Sequence, residues 1–200
     1  EMCIRDSLFA QCAPLFGALF LFNLIESMPK FVMEGALAYK YQLYFNALFF
    51  PAQAILLSIG FIYKPQLLRL SSIWANPRKR RRFDLIIVAV MAVVVVITGL
   101  CAAFMAGPGI PIMNAMYGLN FERYRTLALL MVIAGGVTAG IDFIYAIITV
   151  LRHAGDVTKI YLICFAVSVV LPLILINLLG MTGAVVSYLA VMALLLVLLI

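Results

Sequence analysis

The sequence predicts an all-α, polytopic membrane protein, and three observations carry that prediction. Hydrophobic residues make up 66% of the chain and charged residues 11%, with a mean hydropathy of +1.18, whereas a soluble domain needs about a quarter of its residues charged to cover its surface. Six apolar runs (Leu8 to Ile25, Tyr41 to Tyr63, Leu85 to Phe104, Leu127 to Leu151, Tyr161 to Leu179 and Ala184 to Ile200) reach the ~17 to 25 residues that a bilayer-spanning helix needs. The runs are continuous rather than alternating, and backbone polar groups in hydrocarbon must be satisfied within the segment, so they are expected to be helices and not barrel strands.

Ahead of the first run, Glu1 to Ser7 (EMCIRDS) resembles the translation of a transposase adapter used in making sequencing libraries. These residues are expected to be non-native, so Arg5 is not read as the basic region of a signal peptide and the natural frame is expected to begin upstream. The end of the chain inside an apolar run, at Ile200, fits the same expectation of a fragment.

The first run carries Asn23, Glu26 and Lys30 at i, i+3 and i+7, one helical face near its outer end, where Pro29 is expected to interrupt the helix. In the second, Gln42, Asn46 and Gln53 share a face, and Pro51 removes a backbone hydrogen bond and predicts a kink. The next connection, Lys64 to Asp84, is the densest block of charge. Leu67, Leu70, Ile73 and Trp74 recur in it at helical spacing, which predicts an amphipathic extension along the interface with Trp74 at headgroup level. The third run has Thr98 as its one polar side chain and is expected to face lipid, and a long external connection, Met105 to Thr126, is expected after it. The fourth carries Gly135, Thr138, Asp142, Tyr145 and Thr149 at spacings of three and four, and Gly135, Gly136 and Gly140 predict close helix packing. The fifth and sixth runs are nearly as apolar as the third.

Basic residues set the expected orientation. Lys64, Arg69, Arg78, Lys79, Arg80, Arg81 and Arg82, with Arg152 and Lys159, put nine on one side, against Lys30, Lys40, Arg123 and Arg125, four, on the other. The positive-inside bias makes the first side cytoplasmic, with both ends of the six-helix unit there. The RKRRR block, Arg78 to Arg82, is read as a topological anchor that also attracts anionic lipids, at about 1 kcal/mol per basic residue. Tethered to the membrane at both ends, it does not suit nucleic acid. Lys64 and Arg69 belong with this group.

Candidate functional residues are therefore the polar groups inside spans: Asn23, Glu26, Lys30, Gln42, Asn46, Gln53, Thr138, Asp142, Tyr145 and Thr149. Asp142 is the one ionisable residue deep in a run, where a carboxylate costs ~2.5 to 3.5 kcal/mol to insert. It is expected to face the bundle interior, either as an interhelical hydrogen bond or as a cation, proton or gating site. Cys12, Cys101 and Cys164 fall in three separate runs without CxxC spacing, so neither a metal site nor a cofactor is called for. His153 beside Arg152 reads as a solvated loop residue, and no GxxxxGK[ST] occurs.

Several stretches carry a family resemblance: CAPLFGALFLFNLIESMPKFVMEGAL (Cys12 to Leu37), FFPAQAILLSIGFIYKPQLLRLSSIW (Phe49 to Trp74), MYGLNFERYRTLALLMVIAGGVTAGIDFIYAIITVLR (Met116 to Arg152) and LLGMTGAVVSYLA (Leu178 to Ala190). In order and spacing they resemble the C-terminal half of bacterial polysaccharide-biosynthesis flippases, of the multidrug/oligosaccharidyl-lipid/polysaccharide exporter superfamily. The resemblance implies one bundle of a transporter of twelve or more helices in the cytoplasmic (inner) membrane, with a preceding bundle as its partner and a polyprenyl-pyrophosphate-linked glycan as its substrate. Asp142 departs from the family, whose members carry a small or hydroxyl residue there. A cation-coupled drug antiporter of the same superfamily, and a membrane glycopolymer polymerase or ligase, stay open as alternatives.

Overall fold

A computed structural model describes residues 2–74, 80–150 and 154–199, and among them every regular element is helical. Six stretches are long and apolar enough to cross a membrane: Phe16–Ala36, Tyr39–Gln66, Arg80–Tyr117, Glu122–Val150, Val157–Leu179 and Met181–Leu199. The chain is an all-α polytopic membrane bundle. Arg78, Lys79, Arg152 and His153 lie outside the described residues.

The first helix, α1 (Met2–Ala36), continues through Pro29 and past the expected end at Ile25. Proline removes one N–H and so frees one carbonyl, a loss that spanning helices tolerate when packed, and here Pro29 is buried between Ile25 and Met33. Glu26 and Lys30, on the polar face expected near the outer end of the first span, find partners on the next helix. After a two-residue turn, α2 (Tyr39–Tyr63) is likewise helical across Pro51. A 3-10 turn at Lys64–Gln66, with Pro65 inside it, leads into the short α3 (Leu67–Trp74). Its Leu70 is buried and Leu67, Ile73 and Trp74 are half-buried, while Arg69, Ser71 and Ser72 are exposed, as the amphipathic pattern predicts.

The expected external loop after the third run is mostly helix. α4 (Arg80–Phe104) passes through a widened turn at Met105–Gly109 into α5 (Ile110–Tyr117), bending at Gly107 (φ −100, ψ −106) before Pro108. Glycine and proline read as a loop because they break the ladder, yet the chain resumes helix directly afterwards. The Arg125 guanidinium donates to the Ala106 carbonyl beside the bend. α5 ends at Gly118 in the left-handed region (φ 63), whose N–H bonds to the Asn114 carbonyl. The Asn114 side chain then accepts the Phe121 N–H at 2.8 Å, which fixes the return into a 3-10 turn at Glu122–Tyr124.

α6 (Arg125–Val150) is the most buried helix and packs on α2, α8 and α4. α7 (Ala154–Leu179) lies between α1 and α8 (Met181–Leu199), reached by a turn at Gly180 (φ 59). Small residues set the closest approaches. A Cβ at Gly135 would sit 2.6 Å from Ala52 of α2, one at Gly136 would strike Thr98 of α4, and one at Gly183 would strike the Leu175 carbonyl. α4 is the least buried span, with Val88, Val95, Val96 and Leu100 all exposed, in keeping with a lipid-facing helix. α1 docks mainly on α7 and only sparsely on α2, its neighbour in sequence, so a seam runs between the first two helices.

Candidate functional site

Polar side chains cross the α1–α2 seam at one level. The Glu26 carboxylate accepts a hydrogen bond from Gln53 Nε2 at 2.6 Å, and one turn along α1 the Lys30 ammonium lies 3.9 Å from the centre of the Phe49 ring. Among the described residues neither charge is in a close ion pair. Gln53 offers a neutral donor, and an aromatic face offers its negative quadrupole. Phe49 meets Tyr188 of α8 edge to face at 5.5 Å, and the Tyr188 hydroxyl is 3.1 Å from Thr138 Oγ1 on α6. Four helices thus contribute to one polar and aromatic cluster inside the bundle.

A second cluster lies ten residues further along α2, about 15 Å at the helical rise. Asp142 Oδ2 accepts the Tyr63 hydroxyl at 2.5 Å, and Lys64 Nζ stands 3.9 Å away. Lys64 folds back over Gly60, where an added Cβ would lie 3.4 Å from its Cε and Nζ. Tyr63 is anchored edge to face on Phe143 at 5.3 Å. The carboxylate is 21% exposed and the lysine 62%, so Asp142 points inward from a half-open position while its cation reaches in from the edge. Tyr145 of α6 and Tyr161 of α7 stack with ring centres 6.0 Å apart.

The polar positions read from the sequence therefore divide. Glu26, Lys30 and Gln53 come together across the seam, and Asp142 joins Tyr63 and Lys64, a lysine read from the sequence as a topology or anionic-lipid contact at the cytoplasmic mouth. Thr138 is 2% exposed, bonded to the Ala134 carbonyl and to Tyr188, so it belongs to helix packing and not to an open groove. Asn23 is exposed and bonds back to the Leu19 carbonyl, and Thr149 bonds back to the Tyr145 carbonyl. Gln42 is half-buried and Asn46 exposed on α2. Of the basic group, Arg80 stacks 5.0 Å over Trp74, which itself packs on Phe83, and Arg81 is exposed. Arg69 and Arg82 line a hollow of about 530 Å³ between α3 and α4.

Sequence reasoning missed Tyr63, Phe49 and Tyr188. Aromatic residues in an apolar run look like filling, and the one available signal was Tyr63 next to a lysine at the end of a span, in a chain whose Asp142 carboxylate needed a donor. Comparison with protein-family models, with characterised proteins and with solved structures found no significant match.

Proposed function

We propose that the chain is one bundle of a membrane transporter, a flippase that carries a polyprenyl-pyrophosphate-linked glycan across the cytoplasmic membrane by alternating access. The observation that carries this reading is the α1–α2 seam, where Glu26, Lys30 and Gln53 meet within the apolar spans of two helices that otherwise pack sparsely. Charged residues inside a membrane are costly and mark substrate or ion paths by default. A bundle serving structure alone would gain more from apolar packing along that seam. A lipid-linked glycan needs such a path, since its sugar and pyrophosphate must cross while its polyprenyl tail stays in lipid. Lys30 supplies a cation for the pyrophosphate, held by an aromatic ring and therefore easily released to a better anion. The order of residues that resembles the flippase family supports the same substrate class, with a second bundle of the same protein completing the path. Both ends of this bundle lie on the cytoplasmic side in this reading, because the basic connection does.

The alternative of a cation-coupled antiporter draws on Asp142, a carboxylate that already holds an ammonium group beside a tyrosine hydroxyl and can exchange it for another cation. No comparable observation favours a polymerase or ligase, since the segment expected to form its external loop is mostly helix.

The test is leaflet translocation of a fluorescent polyprenyl-pyrophosphate oligosaccharide in vesicles containing the full-length protein, read by an impermeant quencher. Wild-type protein is expected to move the lipid faster than empty vesicles, with Lys30→Ala about tenfold slower at unchanged insertion. Movement no faster than in empty vesicles would refute the flippase. A rate that instead follows an imposed proton or sodium gradient with a cationic drug, and is lost in Asp142→Asn, would assign the antiporter.

A further inference from the structure

Four basic residues lie in the half of the bundle away from the basic connection: Lys30 within its span, and Lys40, Arg123 and Arg125 at the end. Two are already engaged, Lys30 over Phe49 and Arg125 on the Ala106 carbonyl. The other two, Lys40 at the start of α2 and Arg123 in the turn before α6, are exposed, and among the described residues neither makes an ion pair or a hydrogen bond. Both border one hollow of about 280 Å³, walled by Tyr41, Tyr44 and Tyr124 with Asn120 beside them. That wall is pre-formed, because the Tyr44 ring is fixed against Phe121 at 5.1 Å and against Tyr124 at 5.0 Å.

Tyr41, Arg123 and Tyr124 also line a second hollow, of about 540 Å³, that lies along the start of α6 and the α7–α8 turn. Its character changes with position. Thr126 and Thr182 contribute hydroxyls, while Leu127, Leu130 and Leu179 contribute an apolar side. Glu122, the neighbouring carboxylate, lines neither hollow. Two cations without a partner among the described residues, a tyrosine wall and an adjoining leucine surface, at the end of four spans, form a polar-to-apolar gradient that suits an amphiphile and not a free ion.

We propose that these joined hollows are a binding site for the anionic phosphate headgroup of a membrane lipid. Lys40 and Arg123 take the phosphate oxygens, the arginine as a planar two-donor fork and the lysine as a point charge. The tyrosine and threonine hydroxyls meet the rest of the headgroup, and the three leucines cover the first methylenes of the chain. The site accounts for two cations at the end of the bundle that the positive-inside bias otherwise depletes. It stands whether or not the α1–α2 seam carries a substrate.

The experiment uses the whole protein in zwitterionic phosphatidylcholine nanodiscs doped with phosphatidylglycerol bearing a photoreactive diazirine high on one acyl chain, with adducts mapped by peptide mass spectrometry. Wild-type protein is expected to carry adducts in residues 37–44 and 123–130. The double variant Lys40→Gln, Arg123→Gln should lose them at least tenfold, while Arg81→Gln, Arg82→Gln at the opposite end leaves them unchanged. Unlabelled phosphatidylglycerol should compete and added phosphatidylcholine should not. Adducts there that persist in the Lys40, Arg123 variant, or that phosphatidylcholine displaces equally well, would overturn the site, and displacement by millimolar inorganic phosphate would overturn the lipid as its occupant. Both substituted side chains are exposed, and an unchanged circular-dichroism spectrum and elution volume confirm that the variant is folded.

Discussion

Tyr63→Phe removes one oxygen from the bundle, and its effect depends on the partners that remain to Asp142. In the intact protein Asp142 Oδ2 has the Tyr63 hydroxyl at 2.5 Å and the Lys64 ammonium at 3.9 Å. Hydrogen bonds to charged groups contribute ~1.5 to 3 kcal/mol in soluble proteins. Between helices in a membrane the measured couplings average ~0.6 and reach ~1.7 kcal/mol, because separated helices in lipid find other partners. A short contact to a carboxylate belongs at the upper end, so a coupling of about 1 to 1.7 kcal/mol is expected between Tyr63 and Asp142, roughly a five- to twentyfold change in the unfolding constant. Lys64 is 62% exposed at its side chain, and an exposed pair contributes ~0 to 1 kcal/mol. The assay is a pair of double-mutant cycles, Tyr63→Phe with Asp142→Asn and Lys64→Gln with Asp142→Asn, read from equilibrium unfolding in mixed micelles of mild detergent and dodecyl sulfate. A Tyr63 coupling under about 0.3 kcal/mol, well below the membrane mean, would refute the reasoning. So would a Lys64 coupling larger than that of Tyr63.

Gly135→Ala puts a methyl group 2.6 Å from Ala52 and is expected to cost ~1 to 3 kcal/mol by overpacking, seen as a lower thermal midpoint, whereas Gly140→Ala, 3.7 Å from the flexible Met91 methyl, should leave the midpoint nearly unchanged. Cysteine substitution separates packing from exposure: Thr138→Cys and Val94→Cys, at 2% and 4% exposure, should resist a water-soluble maleimide, and Asn46→Cys should react at least tenfold faster if the α1–α2 seam is hydrated.

Hydropathy made the six spans legible, because a spanning helix must be apolar for most of its length whatever it packs against. It placed their ends poorly for a reason that particular residues explain. Glu26 and Lys30 stop the apolar count, yet Gln53 and Phe49 satisfy them from another helix, so α1 runs on to Ala36. Gly107 and Pro108 read as a loop, yet Arg125 donates to the Ala106 carbonyl beside the bend and helix resumes. The stripe on α6 was legible as a face, but not the fate of its members. Thr138 and Asp142 differ by one turn, and one is sealed by Tyr188 while the other stays half-open beside Tyr63. Those neighbours come from α8 and α2, and periodicity within one helix carries no information about which distant helix arrives at which depth.

The sparse packing of α1 on α2 has a consequence for biosynthesis. The residues with which α1 docks, among them Phe22 against Tyr161 at 5.9 Å, face α7. Residues 37–153 separate the two helices, so at ~5 to 20 residues per second α1 waits about 6 to 23 s in the bilayer before synthesis of its main partner begins. During that interval Glu26 and Lys30 already have Gln53 and Phe49 of α2 as partners. The Glu26–Gln53 bond thus serves as a provisional clasp on the nascent chain, and the later-synthesised hairpin, α7 with α8, closes around it.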